Sequence, residues 1–187
     1  MRRMILALVL LSLPVGTLAG THRAGAGGGG GRADKCTLYG IQLSGEYVLL
    51  NFSKKEDGHH HRGTLSAVGE FTLMGGEHEK EGEAEPRPLT QYTGVVGARL
   101  TWNALKWAGV FGHGMIGRYW EVQDGVSSGA KAWGGGVDFL PGMLFSDHHE
   151  DIVIRLQLDE YRISKDEPDS AGFKYPQYTI QAIYRFE

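Results

Sequence analysis

The side chains in this sequence that can do chemistry fall into three groups: histidine clusters, serines that could pair with a histidine, and charges set among apolar residues. His59, His60 and His61 stand beside Glu56 and Asp57, and Asp147 to Asp151 read DHHED. Imidazole with carboxylate suits zinc, copper or nickel. Neighbouring residues of an extended chain point to opposite sides, and neither segment shows a fixed ligand spacing. Both are read as hydrated loops, and no metal ligand is assigned. A serine activated by a nearby histidine and carboxylate would attack an ester. Ser44 and Ser66 fall in predicted strands that hold no histidine at a useful spacing, and His113, alone in mid-strand, has no serine partner. No catalytic residue is assigned. The third group is Arg99, Asp138, Arg155, Asp159 and Arg185, each opposite an apolar stripe. Such charges either face water or pair with one another in a narrow interior, where an unpaired charge is costly.

The elements that carry these residues are segments of alternating polarity, the mark of strands with one apolar face. In the closing segment Tyr178, Ile180, Ala182, Tyr184 and Phe186 share a face, with Gln177, Thr179, Gln181, Ile183 and Arg185 opposite. Ile152, Ile154, Leu156 and Leu158 oppose Arg155, Gln157 and Asp159 in the same way. Similar stripes run through LYGIQLSGEYVLLNF, TLSAVGEFTLM, TQYTGVVGARLTW and KAWGGGVDF, whereas KWAGVFGHGMIGRYW is apolar on both faces and its inside is not assigned. These stretches have the length that a tilted strand needs to cross a bilayer. NAL is a tight turn, while GGEHEKEGEAEPRP, EVQDGVSSG and SKDEPDSAGFKY are longer and hydrophilic. LPGMLFSDHHED blurs this alternation of short and long connections. The acidic connection is read as solvated.

Length and composition bound the rest. The 187 residues suit one domain. A net charge of -3, without a basic helix or recognised motif, gives no reason to expect nucleic acid. The single cysteine, Cys36, excludes an internal disulfide and lies too far from the first apolar run for lipidation. Residues 1–20, with Arg2 and Arg3 before the apolar stretch from Met4, have the anatomy of a signal peptide. Residues 21–36 are expected to form a Gly-rich flexible tether, leaving 37–187 as the folded domain. The run GGGG resembles no phosphate loop, because no Lys-Ser/Thr follows it.

Alternation alone does not say whether the apolar stripe faces a dry core or lipid. The signal peptide, the terminal strand and the aromatic residues near strand ends (Tyr39, Trp102, Trp107, Trp120, Trp133 and Tyr178) favour lipid. The order AKAWGGGVDF, DIVIRLQLDEYRI and QYTIQAIYRF also resembles the C-terminal half of small bacterial outer-membrane β-barrel proteins, OmpA-like and of the acidobacterial type. Gly134, Gly135, Gly136, Val137 and Asp138 match one motif of that group. Asp159 and Tyr161 match a second apart from the inserted Glu160, and His113 in FGHGMIG matches a third. The resemblance covers residues 89–187 well and 38–74 loosely. It departs at Glu187, one residue past the aromatic Phe186.

The reading is therefore all-β: a closed antiparallel up-and-down transmembrane β-barrel of about eight strands. Seven are counted, with the eighth expected between Asn51 and Leu65, or in a folded-back HRGTLSAVGEFTLMGGEHE. Arg99, Asp138, Arg155, Asp159 and Arg185 are expected to form a polar network in the lumen. Ile152, Ile154, Leu156, Leu158, Tyr178, Ile180, Tyr184 and Phe186 are expected to face lipid. The function expected is structural, in membrane integrity or in surface interaction through the long loops, without an open pore or enzyme activity. Outer-membrane lipid and the outer-membrane assembly machinery are the expected partners, with no nucleic acid, no cofactor and a monomeric state. The alternatives are a soluble lipocalin-like barrel that binds a small apolar ligand and a lipid-modifying outer-membrane enzyme.

Overall fold

The computed structural model describes residues 22–33, 36–56, 59–78, 87–103, 105, 107–123, 125–141, 151–164 and 172–186. Eight antiparallel strands follow one another around a closed barrel. They are β1 (His22–Ala33), β2 (Cys36–Glu56), β3 (His59–His78), β4 (Arg87–Asn103), β5 (Ala108–Glu121), β6 (Ser127–Phe139), β7 (Ile152–Ser164) and β8 (Phe173–Phe186). The β1–β2, β3–β4, β5–β6 and β7–β8 connections share one end of the barrel, here the loop end. Both outermost strand ends, His22 and Phe186, lie at the other, the terminal end. The signal segment, Asp147 to Glu150 and Glu187 lie outside the described residues.

The eighth strand is not where the sequence reading put it. The expected tether is β1, a 12-residue strand that pairs with both β2 and β8 and closes the ring. Its glycines carry no local strand preference. Two flanking ladders define the strand: Gly27 pairs with Gln42 on one side and Gln181 on the other. The barrel thus begins by His22, and Cys36 is buried at the start of β2. Within the stretch from Asn51 to Leu65, Asn51 to Glu56 instead continue β2 and His59 to Leu65 begin β3, strands of 21 and 20 residues that pair with each other. Their ladder runs past the start of β1, where His22 pairs with Tyr47. A bulge between Val48 and Leu50 interrupts this ladder and leaves Leu49 and Leu50 both exposed outside.

Burial alternates along the strands, and its sense is inverted relative to a water-soluble barrel. Polar and charged side chains point inward: Gln42, Glu46, Glu70, Arg99, Asp138, Arg155, Gln157 and Asp159 are all buried. Ile41, Val96, Leu100, Ile116, Leu158 and Ile180 stand outside, each more than half exposed. On β5, apolar on both faces, Phe111, His113, Met115 and Tyr119 point in, while Val110, Ile116 and Trp120 point out.

Candidate functional site

The lumen is filled in layers. Toward the loop end Cys36, Leu38, Met74, Tyr119, Tyr161 and Tyr175 belong to one apolar and aromatic cluster. The rings of Tyr161 and Tyr175 stack at 5.3 Å, and Phe173 meets Tyr119 edge-on at 5.6 Å. A smaller cluster of Leu140, Val153 and Ile183 sits at the terminal end. The charged layer lies between them.

Within that layer three buried arginines (Arg23, Arg99, Arg155) face four buried carboxylates (Glu46, Glu70, Asp138, Asp159) among the described residues. Glu46 accepts from all three arginines, at 3.2 Å from Arg23, 3.2 Å from Arg99 and 3.3 Å from Arg155. Arg155 also grips Asp138 with two parallel bonds, Nε to Oδ1 and Nη2 to Oδ2, each 2.7 Å. Arg99 donates to Glu70 at 2.7 Å and to Gln157 at 3.1 Å. Gln157 in turn donates to Glu70 and, at 2.6 Å, to Asp159, and Gln42 donates to Glu70. His113 Nε2 stands 2.8 Å from Asp159 Oδ1, and its Nδ1 lies 3.3 Å from Arg99 Nη2. A guanidinium has no acceptor, so this second contact draws on the lone pair of Nδ1, while Nε2 and Asp159 Oδ1, though close, form no hydrogen bond among the described residues. The Phe111 ring meets two cations, with Arg99 Cζ at 4.7 Å and Arg155 Cζ at 4.5 Å from its centroid.

Lumen-facing glycines make room for this layer. A β-carbon at Gly134 would stand 2.1 Å from Asp159 Oδ1, and one at Gly136 would come within 2.8 Å of the Phe111 ring. Gly134 and Gly136 therefore have a packing reason, because bulk there would press on Asp159 and Phe111 and on the backbone carbonyls of Leu158 and Leu156.

Four of the five residues expected in the network, Arg99, Asp138, Arg155 and Asp159, are buried members of it. Arg185 faces the lumen only at its edge. It lies beside Arg23 in the β1–β8 register, it is incompletely buried, and its Nε has no hydrogen-bond partner among the described residues. The sequence reading left out Glu46 and Glu70, which receive most of the arginine contacts, together with Arg23, His113, Gln42 and Gln157. The signal for Glu46 and Glu70 was present, since both oppose an apolar stripe. Arg23 had no such signal, because it lay in the supposed tether. Ile152, Leu156, Leu158, Tyr178, Ile180, Tyr184 and Phe186 are exposed on the outer surface, and Ile154 is partly so. Among the described residues no cluster of histidine, cysteine and carboxylate is arranged to hold a metal.

Aromatic side chains ring the outer face at two heights: Tyr39, Tyr92, Trp120 and Tyr178 toward the loop end, and Tyr47, Trp102, Trp107, Tyr184 and Phe186 toward the terminal end, with Trp133 midway along β6. On β4, Tyr92 and Trp102 are ten residues apart. At about 3.4 Å per residue and a tilt of about 40°, that separation is about 26 Å across the barrel wall, the height of the apolar band of outer-membrane barrels.

No protein-family model matches this sequence, and no curated protein does. Solved structures do match in fold. The chain is similar to Neisserial surface protein A, with a TM-score of 0.58 at 10% identity, covering 89% of this chain and 97% of that one. It is similar to Ail, the attachment invasion locus protein of Yersinia pestis, with a TM-score of 0.51 at 16% identity over 90% of this chain and 100% of that one. The outer membrane enzyme PagL gives a TM-score of 0.51 at 12% identity, covering 86% and 98%. At these identities the likeness is one of fold, and the fold is the small eight-stranded barrel of outer-membrane proteins.

Proposed function

We propose that this chain is an integral outer-membrane β-barrel with a structural, membrane-integrity or surface-interaction role and no diffusion pore. The observation that carries the proposal is the inverted polarity of the barrel. Glu46, Glu70, Arg99 and Arg155 are sealed inside while Ile41, Leu100, Ile116, Leu158 and Ile180 stand outside. Exposed apolar surface on this scale marks a contact with lipid or a partner, and two aromatic rings about a bilayer apart favour lipid. The same inversion counts against the lipocalin-like alternative, which needs an apolar interior for its ligand. The filled lumen supports a closed barrel, since a ring of eight strands has room for little more than its own side chains. The His113–Asp159 pair lies deep in that layer, tied to Arg99 and Gln157, which supports a structural rather than a catalytic part for it. The motif order of β5 to β8 supports kinship with the acidobacterial-type small barrels, and the aromatic close of β8 supports recognition by the assembly machinery. Membrane fractionation tests the proposal: the protein is expected in the outer membrane, migrating differently on gels before and after heating. A soluble periplasmic protein with unchanged mobility would overturn it.

A further inference from the structure

We propose that the outer face of β6, β7 and β8 near the loop end binds the phosphate-bearing head of an anionic lipid; this rests on the membrane-barrel reading above. The strand register sets Lys131 opposite Arg162 and Arg162 opposite Lys174. Three cations thus stand side by side on adjacent strands, all on the exposed outer face. Directly opposed side chains have β-carbons about 5 Å apart, and like charges in that relation repel. A row of three is unfavourable unless an anion sits across it. Among the described residues one carboxylate answers the row: Glu160 accepts from Arg162 Nε at 3.0 Å, with both side chains nearly half exposed. Among the described residues, one negative charge against three positive ones leaves the row short of anions.

The position narrows the occupant to a lipid head. Arg162 lies two residues from the end of β7, and Lys174 is the second residue of β8. The Arg162 guanidinium sits 4.2 Å over the ring of Trp133, which stands midway along β6. Cations this close to the loop-end limits of β7 and β8 are at headgroup depth when the loop end marks the interface. Arg118 on β5 is exposed on the same face, two residues along the ladder from Ile116, the partner of Lys131. Next to the row, Gly114 pairs with Trp133, and a β-carbon there would meet nothing within 4 Å. The wall is therefore bare of side chains at that point, and an acyl chain can lie against it while the phosphate meets the cations.

The test inserts the full chain into phosphatidylcholine vesicles with and without phosphatidic acid, then measures lipid retained after gentle extraction. The barrel is expected to keep phosphatidic acid over phosphatidylcholine. Replacing Lys131, Arg162 and Lys174 together by Gln should lower that preference about fivefold or more, the scale of a few exposed ion pairs. Glu160→Gln should raise it, and added salt should weaken it. Equal retention of the two lipids by the wild type, or an undiminished preference in the triple variant, would overturn the proposal. So would displacement of the lipid by inorganic phosphate alone, which would assign the row to a free anion. Failure of the wild type to form a heat-modifiable band in any vesicle would instead overturn the membrane reading, so the two failures are separable.

Discussion

Arg155 and Asp138 form the tightest unit in the lumen, because the planar guanidinium matches the carboxylate with two bonds of 2.7 Å. Both groups are almost fully buried. Removing one partner leaves the other as an uncompensated charge, whereas removing both takes away the attraction and the desolvation penalty together. Arg155→Met alone is therefore expected to cost about 3–5 kcal/mol of barrel stability. The double variant Arg155→Met with Asp138→Leu should recover much of that loss. Glu46 tolerates the change because Arg23 and Arg99 still hold it. Unfolding of the wild type, both single variants and the double variant in urea, followed by gel mobility, gives the coupling energy directly. Additive losses would mean that the two side chains do not act as a pair.

At the scale of the element, β1 shows how neighbours override composition. Its inner glycines leave no room, since a β-carbon at Gly27 would stand 2.0 Å from the Ile180 carbonyl oxygen. The outward Gly28 has its nearest neighbour at 3.7 Å, an ordinary contact. Gly27→Val should prevent ring closure and abolish the heat-modifiable species. Gly28→Val should leave it intact, or strengthen it by adding a β-branched residue to the outer face. Equal tolerance of the two changes would restore the tether. The contrast also explains what was legible in the sequence. Strands β2 to β4 and β6 to β8 announced themselves because each puts polar residues on one face and apolar ones on the other. The inner position of Asp138, Arg155 and Asp159 followed from that alternation. β5 announced a strand but not its inside, because Phe111 and Met115 point in while Ile116 and Val110 point out, and periodicity cannot rank two apolar faces. β1 was hidden because polyglycine has no faces at all, and its strand exists only through pairing with residues far away in sequence. Glu46 and Glu70 were visible as polar positions, but their partners on β4 and β7 depend on the closed ring.

The whole molecule is defined by the exchange of inside for outside, and that exchange makes its stability depend on the solvent around it. Leu156 stands on the outer face of β7, level with Val137 and Ile180 on the neighbouring strands, and it is 39% exposed. In a water-soluble barrel an arginine at such an exposed position would cost little. In a bilayer the same residue sits between the two aromatic girdles, and an arginine near mid-depth costs about 2–4 kcal/mol. Leu156→Arg is expected to destabilise the folded barrel by that amount in phosphatidylcholine vesicles, measured as the shift in urea unfolding. Ser164→Arg, at the loop end of the same strand and also exposed, should cost nearly nothing, because the penalty falls toward zero at the interface. The difference between the two variants, rather than either alone, reports depth. It is insensitive to any general effect of an added charge on β7. Equal and small losses at both positions would place the whole outer face in water and turn the barrel's polarity into a puzzle of assembly instead of a consequence of lipid.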